Sequence, residues 1–78
     1  MEIHESALKH GIAEEDIQHA VSNAVAIDDR DDETRLYLGA ARNGNLLEIV
    51  SLRRDDGTEL AIHAMMMRTS YRRLLPEE

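Results

Sequence analysis

The chain has 78 residues, among them 16 acidic residues against 9 Lys and Arg, and its formal net charge is −7. It contains no Cys, Phe or Trp, which excludes a disulfide scaffold and a zinc module with cysteine ligands. Its length predicts a single domain over residues 1–78. No apolar run approaches the roughly 20 residues that span a bilayer, and no signal peptide is readable, so we expect a cytoplasmic protein with no membrane partner.

The N-terminal part of the chain predicts two helices. Residues 3–10 place apolar side chains at helical spacing, and Gly11 is a typical helix stop. Residues 12–23 repeat apolar side chains every three to five positions behind a group of acids, which favours a second helix. Residues 25–27 are β-prone, and the acids among residues 28–33 repel one another, which indicates a solvated loop.

Three strands are predicted next, separated by Asn-Gly and Asp-Gly turn signals. They cover Arg35–Ala40, Leu46–Arg53 and Thr58–Ala64. The middle strand is apolar at nearly every position, which indicates burial on both faces. In the last strand, alternation predicts Leu60, Ile62 and Ala64 on one face.

Residues 68–75 predict a short C-terminal helix that ends at Pro76. The predicted fold is therefore α+β, with two N-terminal helices, a three- to four-stranded antiparallel meander and a short C-terminal helix. All helices are expected on one face of the sheet. Met65, Met66 and Met67 precede the last helix and are either core residues or a surface for a partner helix.

Charge is distributed unevenly along the chain. Residues 1–34 hold ten acids and two bases, whereas residues 35–78 hold six acids and seven arginines. The segment 65–75 contains three arginines and no acid, namely Arg68, Arg72 and Arg73. These arginines either pair with the protein's own carboxylates or contact a phosphate-bearing ligand.

The histidine spacing does not predict a metal site. His4 and His10 are six residues apart, and His19 and His63 lie in other elements, so no pair has the spacing of a helical zinc site. The aspartate run lacks the glycine and the terminal glutamate of a calcium-binding EF-hand loop. We therefore predict no metal and no cofactor.

One constellation of side chains suits metal-free cleavage of RNA. Lys9 and His10 are expected near the end of the sheet that carries His63, and the helical spacing of Arg68, Tyr71 and Arg72 places those three on one face. This chemistry needs a proton acceptor for the 2′-hydroxyl, a cation for the phosphate and an acid for the leaving oxygen.

The sequence also resembles the BrnT-type toxins. The resemblance lies in the segment Lys9-His10-Gly11-Ile12 with Glu14-Glu15, in the three strand segments, and in the Arg72-Arg73 pair. It implies a RelE-like fold, ribonuclease activity and neutralisation by a ribbon-helix-helix antitoxin. It assigns catalytic roles to His10, His63, Tyr71 and Arg72, and RNA contacts to Lys9, Arg68 and Arg73.

Two functions follow from these patterns. The first is a BrnT-like toxin that cleaves RNA without a metal, with RNA and a basic antitoxin-like protein as partners. The second is a non-catalytic interaction module, because Met65 and Met66 stand where the family has basic residues. Its partner would be a basic protein or a second copy of the chain, which would make a homodimer.

Overall fold

The computed structural model describes residues 1–77 and shows a single sheet of five strands. The strands are β1 (Glu2–Ile3), β2 (Ala24–Asp29), β3 (Thr34–Ala40), β4 (Leu46–Arg53) and β5 (Glu59–Met66). Their spatial order is β1-β5-β4-β3-β2. Strands β2 to β5 form an antiparallel meander, and β1 joins β5 in parallel. The α+β class is confirmed, but the sheet is mixed and larger than the predicted three- to four-stranded antiparallel one.

The first predicted helix, over residues 3–10, is wrong. Its residues form β1 and then a 3₁₀ turn at Glu5–Leu8, called here the N-terminal 3₁₀ turn. The segment bonds to β5 instead of to itself: the His4 amide donates to the Ala61 carbonyl at 2.9 Å, and the Ser6 hydroxyl donates to the Ile62 carbonyl at 2.8 Å. Such a short segment gains little from helical hydrogen bonds, so these tertiary bonds determine its conformation.

The second predicted helix is confirmed, and it is the only α-helix in residues 1–77. This helix, α1, covers Glu14–Ser22 within the predicted 12–23. Its buried side chains Ile17 and Ala20 pack over β3 and β4. The backbone of α1 approaches the sheet so closely at Gly39 that a β-carbon there would collide with the Ala20 carbonyl.

The predicted C-terminal helix over residues 68–75 is also wrong. The structure has a 3₁₀ turn at Thr69–Leu74, called here the C-terminal 3₁₀ turn. Tyr71 and Leu74 both pack against the sheet. A spacing of three residues brings two side chains to one face of a 3₁₀ turn but not of an α-helix, so this packing favours the tighter turn. The RelE-like arrangement with two N-terminal helices and a C-terminal helix is therefore not the fold.

The sheet is covered on both faces, contrary to the prediction that the helices share one. Helix α1 and the N-terminal 3₁₀ turn cover one cluster of apolar residues, which includes Tyr37, Leu47 and Ile49. The C-terminal 3₁₀ turn covers a second cluster on the opposite face, around Leu36, Leu38 and Val50.

A β-bulge in β5 changes which side chains face which side. Ser51 pairs with Ala61 and Val50 pairs with His63, so Ile62 is an extra residue in β5. The predicted common face of Leu60, Ile62 and Ala64 is wrong for this reason. Ala61 and Ala64 lie in the cluster under α1, whereas Ile62 packs into the opposite cluster.

The predicted acidic loop is shorter than expected, because Asp28 and Asp29 belong to β2. Asp31 organises what remains by accepting the backbone amides of Glu33 and Thr34 at 2.8 and 2.7 Å. Within residues 1–77, no helix has the length and apolar character needed to cross a bilayer.

Candidate active site beside Glu48

A buried carboxylate lies at the centre of the candidate site. Glu48 is in the central strand β4 and has 0% exposure, although its neighbours in sequence are apolar. Both of its oxygens accept hydrogen bonds from β5 and from the residue that begins the C-terminal 3₁₀ turn. A charge buried in this way is retained only when its hydrogen-bonding capacity is filled.

Arg68 supplies three of the four donors to Glu48. Its backbone amide and its Nε donate to Oε1 at 2.9 and 3.1 Å, and its Nη2 donates to Oε2 at 2.8 Å. This is the two-pronged geometry in which arginine binds carboxylates most strongly. The Arg68 side chain nevertheless remains 56% exposed, so the guanidinium edge that does not face Glu48 is accessible to a ligand.

Glu48 is ionised at neutral pH. Burial acts to raise the pKa of Glu48, but the hydrogen bonds from the Arg68 side chain and backbone and from His63 outweigh it, and the pKa lies below the ordinary value. The same contact raises the pKa of Arg68, through its hydrogen bonds to Glu48. The ion pair therefore persists across the neutral range.

His63 is the fourth donor, and the β5 bulge puts it in place. The bulge pairs His63 with Val50 and turns its ring towards Glu48, with Nε2 at 3.0 Å from Oε2. An ionised carboxylate only accepts hydrogen bonds, so Nε2 carries the proton in this contact. The neutral ring then has its lone pair on Nδ1, which can accept a proton from a substrate.

His10 lies next to His63. The N-terminal 3₁₀ turn runs beside β5 and ends just before His10, whose ring meets that of His63 edge to face, with centroids 5.7 Å apart and planes at 78°. His10 is exposed and has no hydrogen bond within residues 1–77. The two rings thus present one carboxylate-bound and one solvent-accessible imidazole at the same point of the surface.

Tyr71 supports the arginine from below. The Arg68 guanidinium carbon lies 5.7 Å from the centre of the Tyr71 ring, which is itself packed in the apolar cluster under the C-terminal 3₁₀ turn. Arg72 is displaced from this face, because three residues complete one 3₁₀ turn and the fourth points elsewhere. The predicted common face of Arg68, Tyr71 and Arg72 therefore holds only for the first two.

The remaining predicted cations flank the cluster without joining it. Lys9, Arg72 and Arg73 are exposed, and none of them forms an ion pair with another residue between 1 and 77. Arg35 and Arg53, considered as additions to the basic surface, instead bind Asp29 at 2.6 and 3.4 Å near the far edge of the sheet.

Glu48 is the central residue that sequence reasoning missed. It was counted as a break in an otherwise apolar strand, although an acid in a strand buried on both faces requires a positively charged or hydrogen-bonding partner. That requirement is the signal that could have found it. The position of its partners depends on the β5 bulge and was not readable from the pattern.

A second polar cluster lies elsewhere, around Glu59. Its Oε1 accepts hydrogen bonds from the Tyr37 hydroxyl at 2.6 Å and the Ser51 hydroxyl at 2.7 Å. Burial acts to raise the pKa of Glu59, but these hydrogen bonds outweigh it and the pKa is lowered. An open depression of about 540 Å³ adjoins Glu59, and none of the residues around Glu48 lines it. This cluster joins three strands and contains no histidine.

Comparison with known proteins adds no further constraint. No protein family, curated protein or solved structure matches this chain.

Proposed function

We propose that the protein is a toxin-like endoribonuclease that cleaves RNA without a metal. The observation that carries this proposal is the placement of His63, which Glu48 holds through Nε2, against the exposed ring of His10. Two imidazoles at one point of the surface supply the proton acceptor and the proton donor that the reaction needs. RNA as the substrate rests on the resemblance to the BrnT-type toxins.

His63 is the general base in this mechanism. Its Nδ1 takes the proton of a ribose 2′-hydroxyl, and the resulting oxygen attacks the adjacent phosphorus. The bond from phosphorus to the 5′-oxygen breaks, and protonated His10 gives its proton to that leaving oxygen. The products are a 2′,3′-cyclic phosphate and a free 5′-hydroxyl. Glu48 is a positioning residue, since it fixes the proton on Nε2 of His63 and keeps Nδ1 available.

The arginines stabilise the phosphate. The outer edge of the Arg68 guanidinium faces solvent beside the two histidines, where it can donate to a phosphate oxygen while Glu48 and Tyr71 keep it in place. Lys9, Arg72 and Arg73 bind the flanking phosphates of the RNA strand. Removal of one such phosphate donor commonly lowers turnover by about 10²–10³-fold.

The test is cleavage of a labelled RNA by the purified full chain in the presence of EDTA. We expect His10→Ala and His63→Ala each to reduce the rate at least about 100-fold. His4→Asn is the matched control: His4 is far from Glu48 in its contacts, and asparagine preserves its role as the cap of the N-terminal 3₁₀ turn. Unchanged cleavage in the two active-site variants would assign the activity to a contaminant and contradict the proposal, as would the absence of cleavage by the wild type.

The toxin role is tested separately in cells. Induction of the wild-type chain should slow growth, and the His63→Ala variant should not. If a neighbouring gene encodes a basic antitoxin, its co-expression should restore growth. Normal growth on induction of the wild type at a confirmed protein level would refute the toxin role without deciding whether RNA is cleaved in vitro.

A further inference from the structure

A second surface, unrelated to Glu48, lies at the opposite edge of the sheet. Strand β2 is the last strand in the order β1-β5-β4-β3-β2, and β3 is the only strand paired with it. Its side chains Val25 and Ile27 are 50% and 57% exposed, although both are large and apolar. Helix α1 packs over β3 and β4 and leaves these two side chains uncovered.

The backbone of β2 is open as well as its side chains. Arg30 donates its amide to the Thr34 carbonyl, which sets the alternation of the antiparallel ladder between β2 and β3. In that alternation the amide and carbonyl of Ile27 and of Asp29 point away from β3. Neither residue's backbone bonds to another segment in residues 1–77. A strand placed here would find two sets of unpaired backbone groups.

The charge next to this edge identifies the chemistry of the strand that fits. Asp28 lies on β2, and Asp32 and Glu33 lie in the loop that follows, all exposed and without an ion pair among residues 1–77. Arg30 is the only base between residues 24 and 34. A second copy of the chain would bring another such acidic segment to the same edge, and like charges disfavour that pairing.

We infer that the β2 edge binds an extended segment of a partner protein in which apolar and basic residues alternate. The segment adds a sixth strand to the sheet through the backbone groups of Ile27 and Asp29. Its apolar side chains cover Val25 and Ile27, and its Lys or Arg side chains face Asp28, Asp32 and Glu33. This mode of recognition takes affinity from the backbone ladder and selectivity from alternate side chains.

The experiment uses the full chain and a nine-residue synthetic peptide that alternates valine with lysine. We expect the peptide to shift the NMR signals of residues 24–33, to slow hydrogen exchange at the amides of Ile27 and Asp29, and to bind less tightly as salt is added. Ile27→Lys and Val25→Lys should each weaken binding about tenfold or more. Met66→Lys is the matched control, since Met66 is 49% exposed on β5, away from this edge.

Three results would overturn the inference. The first is no binding at millimolar peptide, or shifts that map outside residues 24–33. The second is equal binding of a control peptide that carries glutamate in place of lysine. The third is a dimer of the wild type in sedimentation that Ile27→Lys converts to a monomer, because the occupant of the edge would then be a second copy. RNA cleavage should be the same in Ile27→Lys as in the wild type, so this inference and the ribonuclease proposal fail independently.

Discussion

Replacement of Glu48 with glutamine keeps the shape of the side chain and exchanges one acceptor oxygen for a donor. All four hydrogen bonds at Glu48 are accepted ones, two at each oxygen. An amide nitrogen at the Oε1 position would face two donors of Arg68, including its backbone amide. At the Oε2 position it would face Arg68 Nη2 and His63, and His63 can adapt by moving its proton from Nε2 to Nδ1. The second orientation is therefore the cheaper one.

The cost follows from that orientation. One charge-assisted hydrogen bond is lost, at about 1.5–3 kcal/mol, and the bonds to the remaining oxygen become weaker because the negative charge is gone. Water replaces part of the loss, since the Arg68 side chain is half exposed. We expect Glu48→Gln to lower the free energy of unfolding by about 2–3 kcal/mol. For a domain of this size that corresponds to a fall in Tm of roughly 10–20 °C.

The difference between the two proteins should depend on pH. Because the pKa of Glu48 is lower in the folded chain than its ordinary value of 4.5, its contribution to stability is fully present above pH 4.5. It is lost as the pH falls through the lower folded value. The Tm of the wild type should therefore approach that of Glu48→Gln under acid conditions, while the two stay apart at pH 7.

The assay combines thermal unfolding with nitrogen NMR of the histidines. In Glu48→Gln the proton of the neutral His63 ring should move to Nδ1, which removes the proposed proton acceptor and lowers RNA cleavage about 10²–10⁴-fold. Glu15→Gln is the matched control, because Glu15 is exposed on α1 and forms no ion pair in residues 1–77. Equal Tm changes in the two variants, or a wild-type His63 proton on Nδ1, would refute the reasoning.

The remaining predictions concern packing, ionisation and RNA binding. Gly39→Ala places a β-carbon against the Ala20 carbonyl and should destabilise the chain by about 3 kcal/mol in urea unfolding, whereas an unchanged midpoint would mean that α1 can move away. Burial and the hydrogen bond to Glu59 raise the pKa of Tyr37, so a Tyr71→Phe variant should ionise its remaining tyrosine above pH 10 in an absorbance titration, and a midpoint at or below 10 would contradict this. Three unpaired cations, Lys9, Arg72 and Arg73, predict a slope of about −2 for log affinity against log salt with single-stranded RNA, and a slope near zero would exclude their contact with phosphate.

The elements with strong local signals were predictable from the sequence. The helix within residues 12–23 has acids in its first turn and a clear apolar stripe, and the Asn-Gly and Asp-Gly turns define the hairpins between β3, β4 and β5. The termini were not predictable in the same way. Both carry short apolar segments whose conformation depends on distant partners, namely the β5 edge for Ser6 and the sheet face for Tyr71.

The candidate site was predictable in its members but not in its organisation. His10, His63, Arg68 and Tyr71 were selected for their chemistry, and the structure brings these four together. Their arrangement depends on a single inserted residue in β5, Ile62, which shifts the alternation of the strand and turns His63 towards Glu48. A pattern of period two does not show where such a residue is inserted.

The internal ion pairs explain how a chain with net charge −7 can offer basic surface at one edge and acidic surface at the other. Five of the seven arginines after residue 34 bind the protein's own carboxylates, namely Arg35, Arg42, Arg53, Arg54 and Arg68. The two others, Arg72 and Arg73, remain unpaired within residues 1–77 and lie in the C-terminal 3₁₀ turn, which begins beside Glu48. The unpaired acids of β2 and its following loop lie across the sheet. Because charge interactions between exposed groups are screened beyond about 10 Å at 0.1 M salt, the local charge at each edge, not the total, selects its ligand.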